Sequence, residues 1–585
     1  MNAQHLTLSF PDLTAHIIQA RLDIKLDQPQ ILTLQLPRWI PGSYLLRDFA
    51  KHLTIHSITD ALGNDIPCER IDLCRWQIDA PAGTNSINYS LYGFDASVRA
   101  NYVCDSYAFI NPTACALFVE SWRDQPYQLT LLAPENKPDW QVHTTLNSLL
   151  IDSMSFGHYV APNYDELIEH PLLIGNGIIL DFDACGITHR MVLVDEAPLT
   201  GIDTERLAAD LSAICSTEQA FWRNEQHPYP FQNYLFQVMV SHDGYGGLEH
   251  TNSTALMTSR ASLPRLHQKT SKTYEDFLGL CAHEYFHVWL VKRIKPEGLI
   301  HPQLDDAVIT PLLWIFEGFT SLYDDWMLLR SERIKPAELL TRWSDSLTRT
   351  LTTVGAAQQS LADASREAWI KFYQPNENSA NSQVSYYTRG MATSLLLLAE
   401  LQQQGVHLDN LLHRWWQDWQ DNPKQALNPS KLKDDLTSLC PHINWALWLA
   451  QHVEQPNPQL AAQLALALPS IGLVLTAKLQ PSLGVKLAEE QGALVVKQVT
   501  LDSPAQSAGW QVGDELIALS DWRVRNNTQV EQQLASWQAN PNSPALSVVL
   551  ARKGYLITSH IQPALMATAY DLAAINESSL TWLTP

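Results

Sequence analysis

The sequence lacks an apolar run long enough to cross a membrane. Its longest candidate lies around residues 394–399 and falls well short of the roughly 18 consecutive apolar residues that a spanning helix needs. The first residues also contain no basic segment followed by an apolar core, so no secretory signal peptide is expected. These absences predict a cytoplasmic protein with no membrane partner.

Two further residue classes are too scarce or too scattered for common functions. Lysine and arginine number 39 against 61 aspartates and glutamates, which gives a formal net charge of −22 without any basic run. Nucleic acid is therefore not an expected partner. The eight cysteines include no C-x-x-C pair and no zinc-knuckle spacing, and they predict free thiols rather than a disulfide framework.

At 585 residues the chain is long enough for three or four domains. Residues 1–170 contain short runs of alternating apolar and polar residues and predict an antiparallel, sandwich-like β domain. Helical and strand patterns mix over 171–330. Within this range, 203–222 predicts a helix that begins at the cap residues Asp203 and Thr204, and roughly 274–291 predicts a second helix. Residues 331–460 have leucine and tryptophan at helical spacing. After a proline-containing break, 466–562 predicts a small module of strands and helices, and 563–585 forms a C-terminal tail.

The segment from Cys281 to Lys292 contains the pattern His-Glu-x-x-His. His283 and His287 are four residues apart, so on an α-helix their imidazoles share one face and can bind one metal ion. Glu284 can then reach a water on that metal as a general base, which is the arrangement of zinc peptidases. The alternative is a surface helix that carries two histidines by chance.

A catalytic zinc site needs a third protein ligand and an open fourth position. The candidate is Glu317, and 29 residues lie between it and His287. Glu317 lies in an apolar run, where a buried carboxylate needs a cation as its partner. This spacing allows a loop and a second helix that packs back on the first. An exposed glutamate is the alternative. Asp324 and Asp325 are further oxygen donors that we expect to support the site.

A strand followed by glycines precedes the motif. Residues Tyr234–Ser241 predict a strand, which we expect at the edge of the catalytic sheet. Gly246 and Gly247 then let the backbone approach another group closely, and Glu249 follows two residues later. We expect this segment to line the cleft and to pair with an extended peptide.

A second unusual segment, residues 37–49, combines aromatic residues with a Pro-Gly pair and an Arg-Asp pair. This content predicts an ordered loop that faces another domain. The alternative is a β-bulge loop with a local ion pair.

Together, these segments resemble the M61 family of glycyl aminopeptidases over nearly the whole chain. The matching stretches are Trp-x-Pro-Gly-x-Tyr-x-x-Arg-Asp-Phe (39–49), Gly-Gly-Leu-Glu-His (246–250), His-Glu-x-x-His-x-Trp with Lys-Arg-Ile after it (283–294), Glu-Gly (317–318) and a final module similar to a PDZ domain. Better-known gluzincin aminopeptidases have Asn where His250 stands and a shorter gap to the third ligand. Both departures favour the glycyl family.

The resemblance implies a multidomain α+β fold with an N-terminal β domain, a thermolysin-like zinc peptidase domain with a helical segment, and a C-terminal PDZ-like domain. It implies one Zn²⁺ per chain at His283, His287 and Glu317. The implied substrates are peptides with a free N-terminus and a small first residue, glycine or alanine. Tyr387 lies in Tyr-x-Arg-Gly, which is similar to a Tyr-x-Lys-Gly site whose phenol stabilises the oxyanion. An ordinary half-buried aromatic is the alternative for Tyr387.

In this arrangement Glu249 stands at the closed end of the cleft and holds the α-ammonium of the substrate. A structural ion pair with Arg260 or Lys292 is the alternative. Two rival functions stay open. A zinc endopeptidase would use the same metal site but would not need Glu249, and an inactive PDZ scaffold would not need the intact motif. The PDZ-like module would bind a peptide C-terminus or serve as a structural appendage.

Overall fold

The computed structural model describes residues 3–224, 227–540 and 544–583, and for residues 577–579 it describes the backbone alone. The first two residues of the predicted β domain, residues 541–543 of the predicted C-terminal module and the last two residues of the predicted tail lie outside the described residues. The chain forms two compact units. The first contains 1–308, 330–334 and 415–426, and the second contains 309–329, 335–414 and 427–585.

The N-terminal β region, residues 3–175, is built around a seven-stranded sheet. The first strand in chain order, Ala3–Asp12, buries every second residue, including Leu6 and Leu8, as the alternation predicts. In spatial order the strands are Asn147–Ile151, Gly157–Ala161, Tyr127–Leu131, Ala3–Asp12, Ile17–Leu26, Gly83–Tyr92 and Leu53–Thr59. One pairing departs from the expected antiparallel domain: Ala3–Asp12 and Tyr127–Leu131 run parallel, because a long stretch of chain rather than a hairpin connects them.

Two four-stranded sheets complete this region. The first consists of Phe118–Val119, Gln30–Gln35, Arg75–Ala80 and Cys68–Arg70, and the second of Gln141–His143, Leu172–Gly175, Tyr107–Ile110 and Tyr102–Val103. Buried side chains from all three sheets form one continuous core. The expected N-terminal β domain is therefore confirmed, with one short helix, Tyr164–Leu167, inside it.

A mixed five-stranded sheet follows the N-terminal region. In spatial order its strands are Ile178–Ala184, Ile187–Val194, Asn233–Ser241, Ser253–Ser259 and Gly246–Glu249. The prediction that Tyr234–Ser241 forms the sheet edge is wrong. This strand pairs in parallel with a neighbour on each side and is buried between its two end residues, as its nearly unbroken apolar run requires. The edge strand is Gly246–Glu249, which pairs antiparallel with Ser253–Ser259.

The first long helix of the first unit, Thr204–Trp222, begins where the sequence predicts. The side chain of Asp203 accepts a hydrogen bond from the N–H of Arg206 and so caps the helix. This helix packs against strand Ile178–Ala184.

The second long helix, Lys272–Phe286, carries the His-Glu-x-x-His pattern and is called the motif helix below. Ser271 caps its N-terminus, and the helix packs against strands Gly246–Glu249 and Ser253–Ser259. It is shorter than expected at its C-terminal end. The chain turns sharply after it, and Val291 has a φ of 101°, which a helix cannot accommodate.

The chain between residues 313 and 467 is mainly helical, as the leucine and tryptophan spacing predicts. Its helices are Leu313–Arg330, Pro336–Leu351, Leu361–Arg366, Ser379–Ser382, Thr388–Gln403, Asp409–Asp421, Pro429–Leu439, Trp445–Leu449 and Leu460–Ala467. Across the described residues, none of the helices has both the length and the apolarity needed to cross a bilayer.

The C-terminal module has its own apolar core. Its strands are Val485–Glu490, Ala493–Val499, Glu515–Leu519, Leu546–Arg552 and Tyr555–Ile561 in spatial order, with Trp522–Arg523 paired to the third, and its helices are Pro504–Ser507 and Asn527–Gln538.

A two-stranded ribbon, Leu473–Ser482 with Ala564–Ala574, connects this module to the helices before it. The second ribbon strand lies in the predicted C-terminal tail. Its backbone N–H groups at Tyr570 and Leu572 donate to hydroxyl oxygens on helix Pro336–Leu351, each at 2.8 Å. The tail is therefore an integral part of the fold.

Candidate active site

The two motif histidines lie at the C-terminal end of the motif helix. His283 is in its last turn, and His287 is the residue at which the helix ends. Their Nε2 atoms are 3.2 Å apart, and their rings are nearly perpendicular, at 87°. Nδ1 of His287 lies 2.9 Å from the carbonyl oxygen of Leu290, so that Nδ1 donates its proton and Nε2 keeps a lone pair for a metal. The two Nε2 atoms therefore converge, as the four-residue spacing predicts.

Glu317, the expected third ligand, joins this pair. It lies on helix Leu313–Arg330 and is 3% exposed. One ligand atom from each of His283, His287 and Glu317 lies within 4.8 Å of the other two. Two imidazole nitrogens and one carboxylate oxygen are the protein donors of a common type of catalytic zinc site, so these residues fit that metal. Asp325, expected to support the site, forms an ion pair with Arg342.

The carboxylate of Glu284, the expected base, packs against the backbone of Gly247 in the edge strand. A Cβ atom at Gly247 would lie 2.2 Å from Oε1 of Glu284, far inside contact distance. A side chain at this position would therefore displace Glu284 from the place that it occupies in the structure. The close approach that the sequence predicts for the glycine segment is made, at Gly247, to the candidate base, and pairing of the segment with a substrate stays a prediction.

Glu249 ends the same strand and is 5% exposed. The two cations considered as its structural partners bind other carboxylates. Nζ of Lys292 is 2.6 Å from Glu169, and Nε of Arg260 is 2.7 Å from Asp195. Both cations considered as alternative partners of Glu249 thus pair with another carboxylate, and the role of Glu249 stays a prediction.

Glu169 is a residue of this region that sequence reasoning misses. Its carboxylate accepts hydrogen bonds from the N–H of Thr251 at 2.9 Å and from Lys292 at 2.6 Å, and so holds the segment that follows Glu249. Burial would raise the pKa of Glu169, but the Lys292 ammonium lowers it to about 2. Burial also lowers the pKa of the neighbouring His250 to about 3, so that this histidine is neutral at neutral pH. No sequence pattern links Glu169 to the motif.

The turn after the motif helix has a structural role. Lys292 and Arg293 follow the strained Val291 and are buried, at 8% and 7% exposure. Nη1 of Arg293 donates to the carbonyl oxygens of Val288 and Thr251 at 2.7 and 2.9 Å. Burial lowers the pKa of Arg293 to about 10, which leaves it charged. The Lys-Arg-Ile sequence thus fastens the end of the motif helix to the segment that follows Glu249.

Tyr387, expected to stabilise an oxyanion, immediately precedes helix Thr388–Gln403. Its half-buried ring stacks on Phe372 with centroids 5.4 Å apart and lies 4.8 Å from the ring of Tyr386. The aromatic packing fixes the ring next to the N-terminal end of its helix.

Two glycines determine how the Tyr387 helix meets the Glu317 helix. A Cβ atom at Gly318 would lie 2.5 Å from Cα of Gly390, so the two helices cross with their backbones in contact. The glycine of Tyr-x-Arg-Gly therefore brings the helix that follows Tyr387 against the helix that carries Glu317.

Two known family models match the N-terminal β region and the part of the chain that contains the candidate site. Residues 5–176 match the family model for the peptidase M61 N-terminal domain, and residues 276–393 match that for M61 glycyl aminopeptidase. The second match contains His283, Glu284, His287, Glu317 and Tyr387. No protein of curated function matches the sequence.

Solved structures are also similar to this chain. An aminopeptidase N family protein from Idiomarina loihiensis is 31% identical, with 100% of both chains covered and a TM-score of 0.91. An M1 zinc metallopeptidase from Deinococcus radiodurans is 12% identical over 75% of this chain and 90% of that chain, with a TM-score of 0.44. Native yeast LTA4 hydrolase is 12% identical over 78% of this chain and 68% of that chain, with a TM-score of 0.47.

Proposed function

This chain belongs to the M61 glycyl aminopeptidase family and is a peptidase, and we propose that it is a zinc-dependent aminopeptidase that removes small N-terminal residues. The observation that carries the proposal is the convergence of three donors, His283, His287 and Glu317, with ligand atoms within 4.8 Å of one another. Glu284 follows the first histidine in the sequence, and its carboxylate lies against the strand that ends in Glu249.

The proposed chemistry divides between the metal and the chain. Zinc held by these donors would lower the pKa of a bound water to about 7 and polarise the scissile carbonyl. Glu284 accepts the proton of the attacking water and later delivers it to the leaving amine. The oxyanion that forms on the carbonyl needs a further hydrogen-bond donor, and the phenol of Tyr387 takes that role.

Recognition of the substrate is assigned to the edge strand. Gly246–Glu249 ends the sheet and offers backbone groups to an extended peptide, which would add as a further strand. Glu249 holds the α-ammonium by charge-assisted hydrogen bonds, so that the first peptide bond lies at the metal. The preference for glycine is taken from the family description, glycyl aminopeptidase, and alanine is included because it has the next smallest side chain.

A substrate panel separates this proposal from its rivals. We expect zinc-loaded protein to hydrolyse glycyl and alanyl anilides and to leave an N-terminally blocked, internally quenched peptide intact. Comparable cleavage of the blocked peptide would favour a zinc endopeptidase. If neither substrate is hydrolysed, the result would favour an inactive scaffold protein.

One zinc should bind per chain, and Glu317→Ala should lower zinc occupancy sharply in dialysed protein. Loss of a direct ligand should weaken binding by more than the roughly 10- to 100-fold that an outer-shell partner contributes. Metal analysis after dialysis measures the effect. Glu297→Ala, an exposed glutamate between the two ligand segments, is the matched control and should retain full zinc. Full occupancy in Glu317→Ala would place the third ligand elsewhere, with Asp324 and Asp325 as the next candidates.

We also propose that the C-terminal module is PDZ-like and binds a peptide C-terminus. Strand Val485–Glu490 ends its sheet and can accept a further strand. The turn before it is tightly fixed, because Gly484 has a φ of 73° and a Cβ there would lie 2.2 Å from Cβ of Ser503. A purely structural appendage is the alternative.

Deleting the module tests this role. The structure allows a clean deletion of residues 484–562, since Ser482 and Ala564 are paired ribbon residues that a short Asn-Gly turn can join. The shortened enzyme should hydrolyse glycyl anilide at the parental rate. On longer peptides it should lose about 10-fold in kcat/KM, equivalent to about 1.4 kcal/mol of binding. Unchanged rates on both substrates would favour the appendage.

A further inference from the structure

Residues 37–49, called the Trp39 loop here, are held firmly within the first unit. Trp39 is fully buried, and its Nε1–H donates to the carbonyl oxygen of Gln303 at 2.9 Å. Arg47 donates to the Ser43 hydroxyl at 2.8 Å, and Arg38 forms an ion pair with Asp48 at 2.5 Å. The loop therefore contains the local ion pair that the alternative interpretation predicts. It is also anchored to Gln303, which is far from it along the chain.

The tip of the Trp39 loop lies on the carboxylate of Glu249. A Cβ atom at Gly42 would lie 2.6 Å from Oε1 and 2.7 Å from Oε2 of that side chain. Gly42 also has a φ of 94°, which side-chain-bearing residues rarely adopt. Glycine at this position thus avoids backbone strain, and it also leaves the Glu249 carboxylate in its place, which an added Cβ atom would take. The backbone of Gly42 covers one side of the carboxylate.

A second residue of the N-terminal β region reaches the same strand. Nη2 of Arg99 donates to the carbonyl oxygen of Gly247 at 3.3 Å. Two residues of this region therefore contact the strand that ends in Glu249. Arg99 contacts the backbone of the strand, and Gly42 contacts the side-chain carboxylate of Glu249. Together with Glu169, which holds Thr251, these contacts fix Glu249 on both sides along the chain.

We infer that the N-terminal β region completes the amine-binding subsite, with Gly42 and Arg99 as positioning residues for Glu249. The inference rests on the proposed function, since it assigns to these residues the placement of the carboxylate that holds the α-ammonium. Gly42 closes its own side of the carboxylate to any group attached to the amine. The N-terminal region thereby favours a free chain end over an extended or acylated one.

Gly42→Ala tests this placement. We expect kcat/KM on glycyl anilide to fall about 100-fold, the loss associated with a misplacement near 1 Å. On N-acetylglycyl anilide the rate should stay at its low parental level, so the preference for the free amine collapses. Gly63→Ala is the matched control, because Gly63 has a similar φ of 83° but no atom within 4 Å of its Cβ position. It should keep the parental kcat/KM within about twofold.

A double-mutant cycle with Glu249→Ala assigns the effect. The double variant Gly42→Ala/Glu249→Ala should be no worse than Glu249→Ala alone, because the contact that Gly42→Ala disturbs is already gone. Additive losses, or a Gly42→Ala enzyme that matches the Gly63→Ala control, would overturn the inference. If Glu249→Ala itself leaves free-amine hydrolysis unchanged, the amine-binding role fails first and the inference falls with it.

Arg99→Ala covers the case in which Gly42→Ala does not fold, because it removes atoms instead of adding them. The ratio of kcat/KM on the free-amine anilide to kcat/KM on the acetylated anilide should fall by at least about fivefold. The effect is smaller than that of Gly42→Ala because loss of Arg99 should misplace Glu249 only in part. An unchanged ratio in folded Arg99→Ala protein would overturn the inference as well.

Discussion

Replacing Glu284 with glutamine should remove nearly all turnover and leave zinc in place. The amide has the size of the carboxylate, so its packing against Gly247 is retained, but it cannot accept a proton from water. General-base catalysis contributes typically about 10²- to 10⁴-fold, and we expect a loss in the upper part of that range because the same group also returns the proton. Kinetics on glycyl anilide and metal analysis on the same preparation measure the two parts of the prediction.

Glu275→Gln is the control for this substitution. Glu275 lies in the first turn of the motif helix, far from the end that carries His283 and His287, and should keep parental kinetics. If the Glu284→Gln enzyme keeps more than about a tenth of the parental kcat, Glu284 is excluded as the base. A general base typically contributes at least about 100-fold to the rate, so its removal should leave much less activity. Loss of zinc together with activity would instead assign Glu284 a structural part in the metal site.

Tyr387→Phe provides a comparison within the same mechanism. The phenol is expected to donate a hydrogen bond that strengthens as negative charge develops on the carbonyl oxygen. Its removal should therefore lower kcat more than it changes KM. The ring stacking on Phe372 survives the substitution, so an unchanged kcat would leave Tyr387 as an ordinary half-buried aromatic.

Local patterns account for most of what the sequence predicts correctly. The spacing of His283 and His287 places them on one helical face, and the apolar run around Glu317 predicts its burial. Both features depend on residues within a few turns of each other, which is the range over which helical periodicity carries information. The helix Thr204–Trp222 and its Asp203 cap follow for the same reason.

The errors and omissions are matters of tertiary structure. The run Tyr234–Ser241 predicts a strand but not its place in the sheet, and the choice of edge or centre depends on strands that pair with it from elsewhere. Glu169 reaches Lys292 across 123 residues, and Gly42 reaches Glu249 from a different β region. The sequence marks the Trp39 loop as unusual, yet only the structure identifies Glu249 as the group that it contacts.

Glu249→Ala should cost the free-amine substrate about 2–5 kcal/mol of transition-state binding, or about 30-fold or more in kcat/KM. This is the range seen when one partner of a buried charge pair is removed, because the substrate ammonium is then desolvated without compensation. N-acetylglycyl anilide has no ammonium, so its hydrolysis should stay poor or improve as the side chain is removed. The ratio of the two kcat/KM values isolates the charge from any general loss of activity.

Glu249→Gln separates charge from shape in the same assay. The amide keeps the volume that Gly42 covers, but it offers the ammonium a neutral acceptor in place of a carboxylate, and charge-assisted hydrogen bonds are roughly twice as strong as neutral ones. We therefore expect Glu249→Gln to lose about half of the binding free energy that Glu249→Ala loses. If Glu249→Gln retains parental selectivity, the side chain acts through packing alone. If the parental enzyme already hydrolyses the acetylated anilide as well as the free one, Glu249 does not recognise an amine, and the endopeptidase becomes the function that the metal site serves.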